Sequence, residues 1–520
     1  MLDSTGPGLL APLSAFLLIG GAFSVILLKA LKTPKVVTRI YSYIFVLVSL
    51  AFSLWLYIET SEGNVFVYTV GGFPPPIGIV YQVDGFSALL GLVIAVLFAV
   101  FYPLIGVLSD ANEYFYALFL GLEAGMLGAV YTGDLFNSFV MLEVLTISAL
   151  GLIAMSKTRD SYVAVYRYGI LMFITGILYF FAAALMYFAT GSLSIGYIAA
   201  WNYAPRILAG KSVYIGASMG AVIGFILLLL TWSLIAEEAL APLHFWLPDA
   251  YSSAPPVIAG LLAGVGEAVG YYLMLRFYYT IYAGVPWSIA VLLRVLGIIT
   301  IIIGGFGIVY SDRLLKMISY SVVLDTGYIA LAVSIGPQGV PVVLSYVIAH
   351  AIVKPLLFIS AGWARQVSGT DKLDGLSGVF RSSRLMQVGF VSGALAVIGI
   401  PPTILFAAKL ELYINMFNSL LGDPLMIIAI IAAFIGSGLA AAGFIKAISA
   451  TILSPNKQSF SVKPGIKAYV LLLTLAVFAF GLLYPAFHSQ VIVPASNTLI
   501  EHRDAYINEI LKLIPQLAGG

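Results

Sequence analysis

The 520-residue chain has no cysteine, which excludes disulfides, thiolate metal sites and iron–sulfur ligation. Charge is scarce too. Asp, Glu, Lys and Arg make up 9% of the residues, against roughly 25% in soluble globular proteins. That is too little to cover a water-facing surface, and with 61% hydrophobic residues the bilayer must be the solvent. A net charge of +2 supplies no field for nucleic acid. No phosphate loop, dinucleotide fingerprint, nucleophile elbow or zinc motif occurs. Any redox chemistry associated with the chain would therefore belong to another subunit.

What is present in abundance is long apolar sequence. A spanning helix needs ~20 apolar residues. Fourteen such stretches are predicted, at 8–30, 37–58, 86–108, 114–132, 135–155, 163–189, 214–241, 255–280, 285–309, 316–335, 339–363, 385–419 (broken), 425–452 and 466–486. The fold class is thus all-α polytopic membrane protein. The start, Met1-Leu2-Asp3, lacks a basic region and a cleavage site, so the first span is expected to be retained. Loops after odd-numbered spans hold Lys29, Lys32, Lys35, Arg39, Lys157, Arg159, Arg313, Arg365, Lys372, Arg381, Arg384, Lys457 and Lys463, whereas those after even-numbered spans hold little beyond Arg206 and Lys211. Basic loops stay cytoplasmic, which predicts both termini outside the cell membrane. Residues 488–515 read as an amphipathic segment, expected on the outer interface or against a neighbouring subunit.

Proline interrupts two spans, at Pro242 and Pro248 in the seventh and at Pro401-Pro402 in the twelfth. A broken helix is tolerated in lipid only where protein or a water-filled cavity satisfies the freed backbone. Two breaks of opposite sense, five helices apart, suggest two inverted five-helix repeats. Two unrelated kinks remain the alternative. The expected organisation is three N-terminal helices (1–110), a first repeat of helices 4–8 (114–280), an inverted second repeat of helices 9–13 (285–452), and a final helix with its amphipathic segment (453–520).

Ionisable residues at membrane depth are costly and point to function. Here they are Glu123, Glu143, Glu237, Glu238, Glu267, Arg294, Asp325, His350, Lys354 and Lys409. Spread over eight helices, they suggest a polar track rather than one pocket. His350 and Lys354 are four apart and share a helix face, with chemistry suited to proton relay. The bland alternative has Lys354 capping a carbonyl beside Pro355. Lys409 follows the Pro401-Pro402 break by two turns. Asp134 reads as a helix cap, whereas Glu143 has no such explanation. Tyr320 and Asp325 are candidates to extend the track. Arg294 either snorkels or pairs.

Six segments carry a family resemblance. They are Tyr68-Thr69-Val70-Gly71-Gly72-Phe73 with Pro75-Pro76-Ile77-Gly78-Ile79 and Val83-Asp84-Gly85; Thr132-Gly133-Asp134-Leu135-Phe136-Asn137 with Phe139 and Glu143; Pro242 through Ala250; Tyr320-Ser321 with Gly327-Tyr328; His350-Ala351-Ile352-Val353-Lys354; and Pro401-Pro402 with Phe406 and Lys409. Over roughly 65–415 the chain resembles the antiporter-like subunits shared by Mrp antiporters and complex I-like respiratory complexes. It is most like the Mrp D-type member of that group, which also occurs in archaeal membrane-bound hydrogenase and sulfane sulfur reductase complexes.

The resemblance implies a fourteen-helix, ion-translocating subunit moving H+, with Na+ as a second candidate. Its partners would be other membrane subunits and, in respiratory assemblies, a hydrophilic redox arm holding any iron–sulfur centres. No cofactor or metal is expected in this chain. By the same resemblance Glu143 is the helix-5 glutamate, His350 and Lys354 the central pair, and Lys409 the exit-side lysine; Arg167 stands where a basic helix-6 residue is frequent. His244 belongs to the seventh-helix break.

The departures are specific. Glu237, followed by Glu238, occupies the usual position of a helix-7 lysine, and Ala268 beside Glu267 occupies that of a helix-8 lysine or histidine. Either Glu237, Glu238 and Glu267 handle a cation through oxygen ligands, or the first half no longer conducts. Glu123, Arg167, His244 and Asp325 are accessory candidates. A non-conducting scaffold and a stand-alone solute transporter are the competing functions.

Overall fold

The computed structural model describes residues 6–108, 111–203, 219–420, 423–455 and 460–513. Arg206, Lys211, Lys457 and the start of the expected seventh span, 214–218, lie outside the described residues. Thirteen described helices are long and apolar enough to cross a membrane. They are α1 (Pro7–Ala30), α2 (Lys35–Thr60), α3 (Gly85–Leu108), α4 (Glu113–Tyr131), α5 (Leu135–Ala154), α6 (Arg159–Thr190), α7a (Gly220–Glu237), α8 (Pro256–Tyr282), α9 (Trp287–Tyr310), α10 (Leu314–Ser334), α11 (Gly339–Ser368), α13 (Pro424–Leu453) and α14 (Pro464–Leu482). The seventh helix resumes after its break as α7b (Trp246–Ser253). The twelfth is split into α12a (Arg384–Ile398) and α12b (Ile404–Asn418), which makes fourteen spans when its halves are joined.

Polar residues at the helix ends fix where many spans begin. Asp84 and Ser87 form a reciprocal capping box at α3, and Thr158 and Ser161 do the same at α6. The Asp134 carboxylate accepts from the backbone N–H of Phe136 and Asn137 at 3.0 and 2.8 Å, so it is the cap its position suggests. Arg294 pairs with Asp423, which itself caps α13, and donates to the Ser334 carbonyl at 3.1 Å.

Burial divides the bundle. The most apolar window of α8 is 100% buried and those of α10 and α11 are 94% buried, against 28% for α2 and α14. These three helices therefore form the centre, and Glu267, Asp325, His350 and Lys354 on them are buried in protein. Phe173 and Phe188 on α6 stay exposed, as expected for a lipid-facing helix.

Loops of like parity gather at the same end. Beyond α2, strands β1 (Phe66–Thr69) and β2 (Val80–Val83) form an antiparallel hairpin, with Phe66 opposite Val83. Tyr81 bridges to Thr132 after α4, and Asp134 bridges to Ser194 after α6. Two amphipathic helices, α15 (Val493–Glu501) and α16 (Arg503–Leu513), cover this end. Thr498 accepts from the Phe86 N–H at 3.0 Å, and Arg503 donates to the Thr280 carbonyl at 2.8 Å. Tyr506, Ile510 and Leu513 pack on Val80, and Ile507 on Ala199 and Ala200. The apolar face of the C-terminal segment is thus covered by its own chain rather than left for a neighbouring subunit.

At the opposite end the loops after α5, α9 and α11 meet α7b around an open cavity of about 1040 Å3. Arg313 ties two of these loops together, bonding Asp160 at 3.1 Å and Asp371 at 3.0 Å.

Candidate functional site

An ion inside hydrocarbon must be paired and hydrogen-bonded. On α10 and α11 it is. Lys354 Nζ donates to Asp325 Oδ2 at 2.6 Å, and both side chains are wholly buried. The same ammonium donates to Ser321 O at 3.0 Å and Ser321 Oγ at 3.1 Å. Lys354 therefore reaches across to α10 and does not cap its own helix beside Pro355. His350, one turn earlier on the same face, places Nε2 3.3 Å from that Asp325 oxygen. Asp325, an accessory candidate from sequence, is the hub of the cluster.

Lys409 stands on α12b beyond the proline break. Gly399 turns the chain there at φ +91, a conformation that favours glycine. The lysine stem runs over this residue, leaving little room for a Cβ. Its Nζ donates at 2.6 Å to the Val397 carbonyl, in the last turn of α12a, and lies 4.7 Å from the centroid of the Tyr328 ring. The break frees a carbonyl and the lysine fills it.

The first half is built from carboxylates. Glu237 and Glu238 close α7a, and the freed Ala241 N–H is taken by Thr300 Oγ1 at 2.9 Å. Glu143 and Glu237 line one cleft with Thr146, Thr175, Tyr179 and Ser233, close enough to interact electrostatically. Glu267 follows a π-turn at Leu262–Gly266, a helix defect frequent at functional sites. It meets the Tyr251 hydroxyl and interacts with Glu237 on one side and with Lys354 and Asp325 on the other. Glu143, Glu237, Glu267, the Asp325–Lys354–His350 cluster and Lys409 therefore form one series across the centre of the bundle.

Other candidates fall outside it. Glu238 turns aside and accepts from the Tyr271 N–H at 3.1 Å. Glu123 accepts from Ser49, joining α4 to α2. Arg167 is half-exposed in the open cavity, 2.5 Å from Asp249, which also holds Lys316 at 2.9 Å. His244 is half-buried in the break, with Nδ1 unpartnered. Tyr320 lies over Gly307 on α9. Among the described residues no three His, Asp or Glu side chains converge as a metal-ligand set.

Two features escaped the sequence reading. Arg276 on α8 makes a buried bidentate pair with Asp84, at 2.6 and 2.8 Å. Burial would raise the Asp84 carboxyl, but the guanidinium holds it below the usual carboxylate range. Glu411 on α12b gathers Ser345, Tyr484 and His488. No motif flags Arg276 or Glu411, although Asp84 stands in the Val83-Asp84-Gly85 segment. A charged residue two positions after Lys409 was the available signal for the second.

The family model described as "NADH:quinone oxidoreductase/Mrp antiporter, TM" matches residues 132–440. The N-type component of NADH-quinone oxidoreductase from Desulforudis audaxviator is 32% identical over 69% of this chain and 70% of its own length. The D-type component of the Na(+)/H(+) antiporter from Alkalihalophilus pseudofirmus is 27% identical over 73% of this chain and 75% of its own. A chain of the membrane-bound sulfane sulfur reductase, an archaeal respiratory membrane complex, superposes with a TM-score of 0.85 at 25% identity, covering 96% of this chain and 99% of that one.

Proposed function

Because the chain belongs to the NADH:quinone oxidoreductase/Mrp antiporter transmembrane family, we propose that it is an ion-translocating, antiporter-like subunit of a multi-subunit membrane complex, with H+ as the ion moved. The observation that carries this reading is the buried series from Glu143 to Lys409. Acids, an imidazole and amines alternate with hydroxyls over a path that is half-buried at Glu143 and Glu237 and fully buried from Glu267 to Lys409. The relatives are named as subunits of a quinone oxidoreductase and of a Na(+)/H(+) antiporter, which supports partner subunits for this chain as well. Redox centres, where the host complex uses them, belong to those partners, because the chain has no cysteine to ligate a cluster.

Helices α4–α8 and α9–α13 serve as two inverted repeats, each with one broken helix. Entry is from the open cavity, on the basic-loop side, taken as cytoplasmic; both termini then lie outside. A second reading, a first half that only scaffolds, is supported by the missing amine at Glu237.

The test is ion movement by the whole complex reconstituted in vesicles. With Lys354→Ala, driven movement stops while the partners' own reaction persists. Unchanged movement would refute the conducting role.

A further inference from the structure

The proposed path has an inlet cavity and a centre, but Lys409 gives it no way out. Its ammonium is buried and points back at the Val397 carbonyl. Glu411 lies two residues further along α12b, and at about 100° per residue its side chain leaves the opposite flank. Three segments distant in sequence converge on this carboxylate. From α11, Ser345 Oγ donates to Oε2 at 3.0 Å. From the chain just beyond α14, the Tyr484 hydroxyl donates to the same oxygen. From the same stretch, His488 Nε2 lies 2.9 Å from Oε1. The Ser345 and Tyr484 hydroxyls are themselves 2.7 Å apart, and the Tyr484 and His488 rings stack at 5.5 Å.

Tyr346 links this cluster to the centre. Its ring stands edge-on to His350 at 6.0 Å. Its hydroxyl is buried and has no hydrogen-bond partner, and it lies within electrostatic reach of both Asp325 and Tyr484. An orphaned buried hydroxyl is the kind of group that binds an internal water. Side-chain exposure rises along the series, from 0% at Asp325 and Lys354 to 14% at Glu411 and 28% at His488. A buried structural knot would show no such gradient toward the surface.

We propose that the second half empties through Tyr346 and Ser345 to Glu411 and His488, so that a histidine beyond the last span releases the proton. This rests on the conducting role proposed above. Ser345 passes its hydroxyl proton to Glu411 and takes one from behind. His488 Nε2 accepts the proton from Glu411 and gives one up to the outer water from its other ring nitrogen. One H+ moves, and every group ends as it began after a tautomer reset.

The charged or titratable groups facing His488 are Glu411 from α12b and Tyr484 from its own segment, and Ser345 of α11 faces Glu411; among the described residues neither Glu411 nor His488 pairs with a Lys or Arg. The hydrogen bond to Glu411 raises the His488 imidazole above its ordinary value, outweighing burial. Outward release therefore slows as outer pH falls through that raised value.

The experiment measures proton movement by the intact complex in vesicles against outer pH. Glu411→Gln should lower the rate about a hundredfold or more, the lower end of what a lost proton-transfer group costs. His488→Gln keeps a hydrogen-bonding side chain and should remove the inflection that lies above the ordinary histidine value. If Glu411→Gln reduces the amount of complex, Glu411→Asp should restore rate with assembly, and the His488→Gln profile decides independently. Wild-type rates and profiles in Glu411→Gln and His488→Gln, with Lys354→Ala still blocked, would overturn the outlet alone. Movement unaffected by Lys354→Ala would overturn the conducting role and the outlet with it.

Discussion

The helices α4–α8 and α9–α13 solve one problem with opposite chemistry. The second set buries a cation and an anion in contact, Lys354 on Asp325, with His350 beside them and Lys409 at the break. The first set places Glu143, Glu237 and Glu267 in series, and among the described residues none of the three forms an ion pair. Its one wholly buried described cation, Arg276, is bound bidentately to Asp84 and kept out of the series. A permanent pair holds its shape because separating it leaves charge uncompensated in a low dielectric. A row of acids has no such lock. The sets touch where Glu267 meets the field of Lys354.

The largest effect should come from breaking the lock. Lys354→Met leaves Asp325 buried without its cation and should cost about 3–5 kcal/mol in addition to stopping transport. Thermal unfolding of the purified complex measures this. Adding Asp325→Leu should recover most of the stability and none of the transport, because the double change removes the lone charge. Arg276→Met should be destabilising to a comparable extent, about 3–5 kcal/mol, yet leave the pH profile of transport unaltered in the complex that assembles. That result would separate the structural cation from the working ones.

Glu267→Gln tests whether the sets act in series. It keeps size and hydrogen bonding, so stability should change by about 1 kcal/mol or less, while ion movement should fall to the Lys354→Met level. Partial movement would mean that the two sets conduct separately.

The smallest effect concerns His488. Its folded value is raised by Glu411, so its contribution to stability is complete below the ordinary histidine range and is lost as pH rises through the raised value. Amide exchange over 484–492 should quicken at alkaline pH in the wild type. After correction for the intrinsic rise of exchange with pH, the protection of this segment in His488→Gln should no longer depend on pH there.

Much of this was legible in the sequence, for identifiable reasons. Apolar runs and basic loops located the spans because the bilayer imposes length and charge rules locally; the predicted 255–280 is Pro256–Tyr282 and 163–189 is Arg159–Thr190. The cost of buried charge exposed Glu143, Lys354 and Lys409. Contacts between distant segments were not legible. Arg276 finds Asp84 at a separation of 192 residues, and His488 finds Glu411 at 77. His488 lies beyond the last span, where a titratable group looks ordinary, and Glu411 stands inside α12b beside the more conspicuous Lys409. The converse holds for Arg167 and His244, which family motifs brought forward. The first pairs with Asp249 in an open cavity, and the second has an unpartnered ring nitrogen in the break.

The Lys409–Val397 contact makes the twelfth helix an electromechanical joint. A charged amine caps the end of α12a, so any change in the protonation of that amine acts directly on the cap. Its cap is strongest while the amine is charged, because a charged donor makes roughly twice as strong a hydrogen bond as a neutral one. Deprotonating Lys409 would therefore loosen the joint between α12a and α12b, and reprotonating it would tighten the joint again. Any protein resting on that joint would feel the charge state as a displacement, so a load on the helix could in turn hold the proton back.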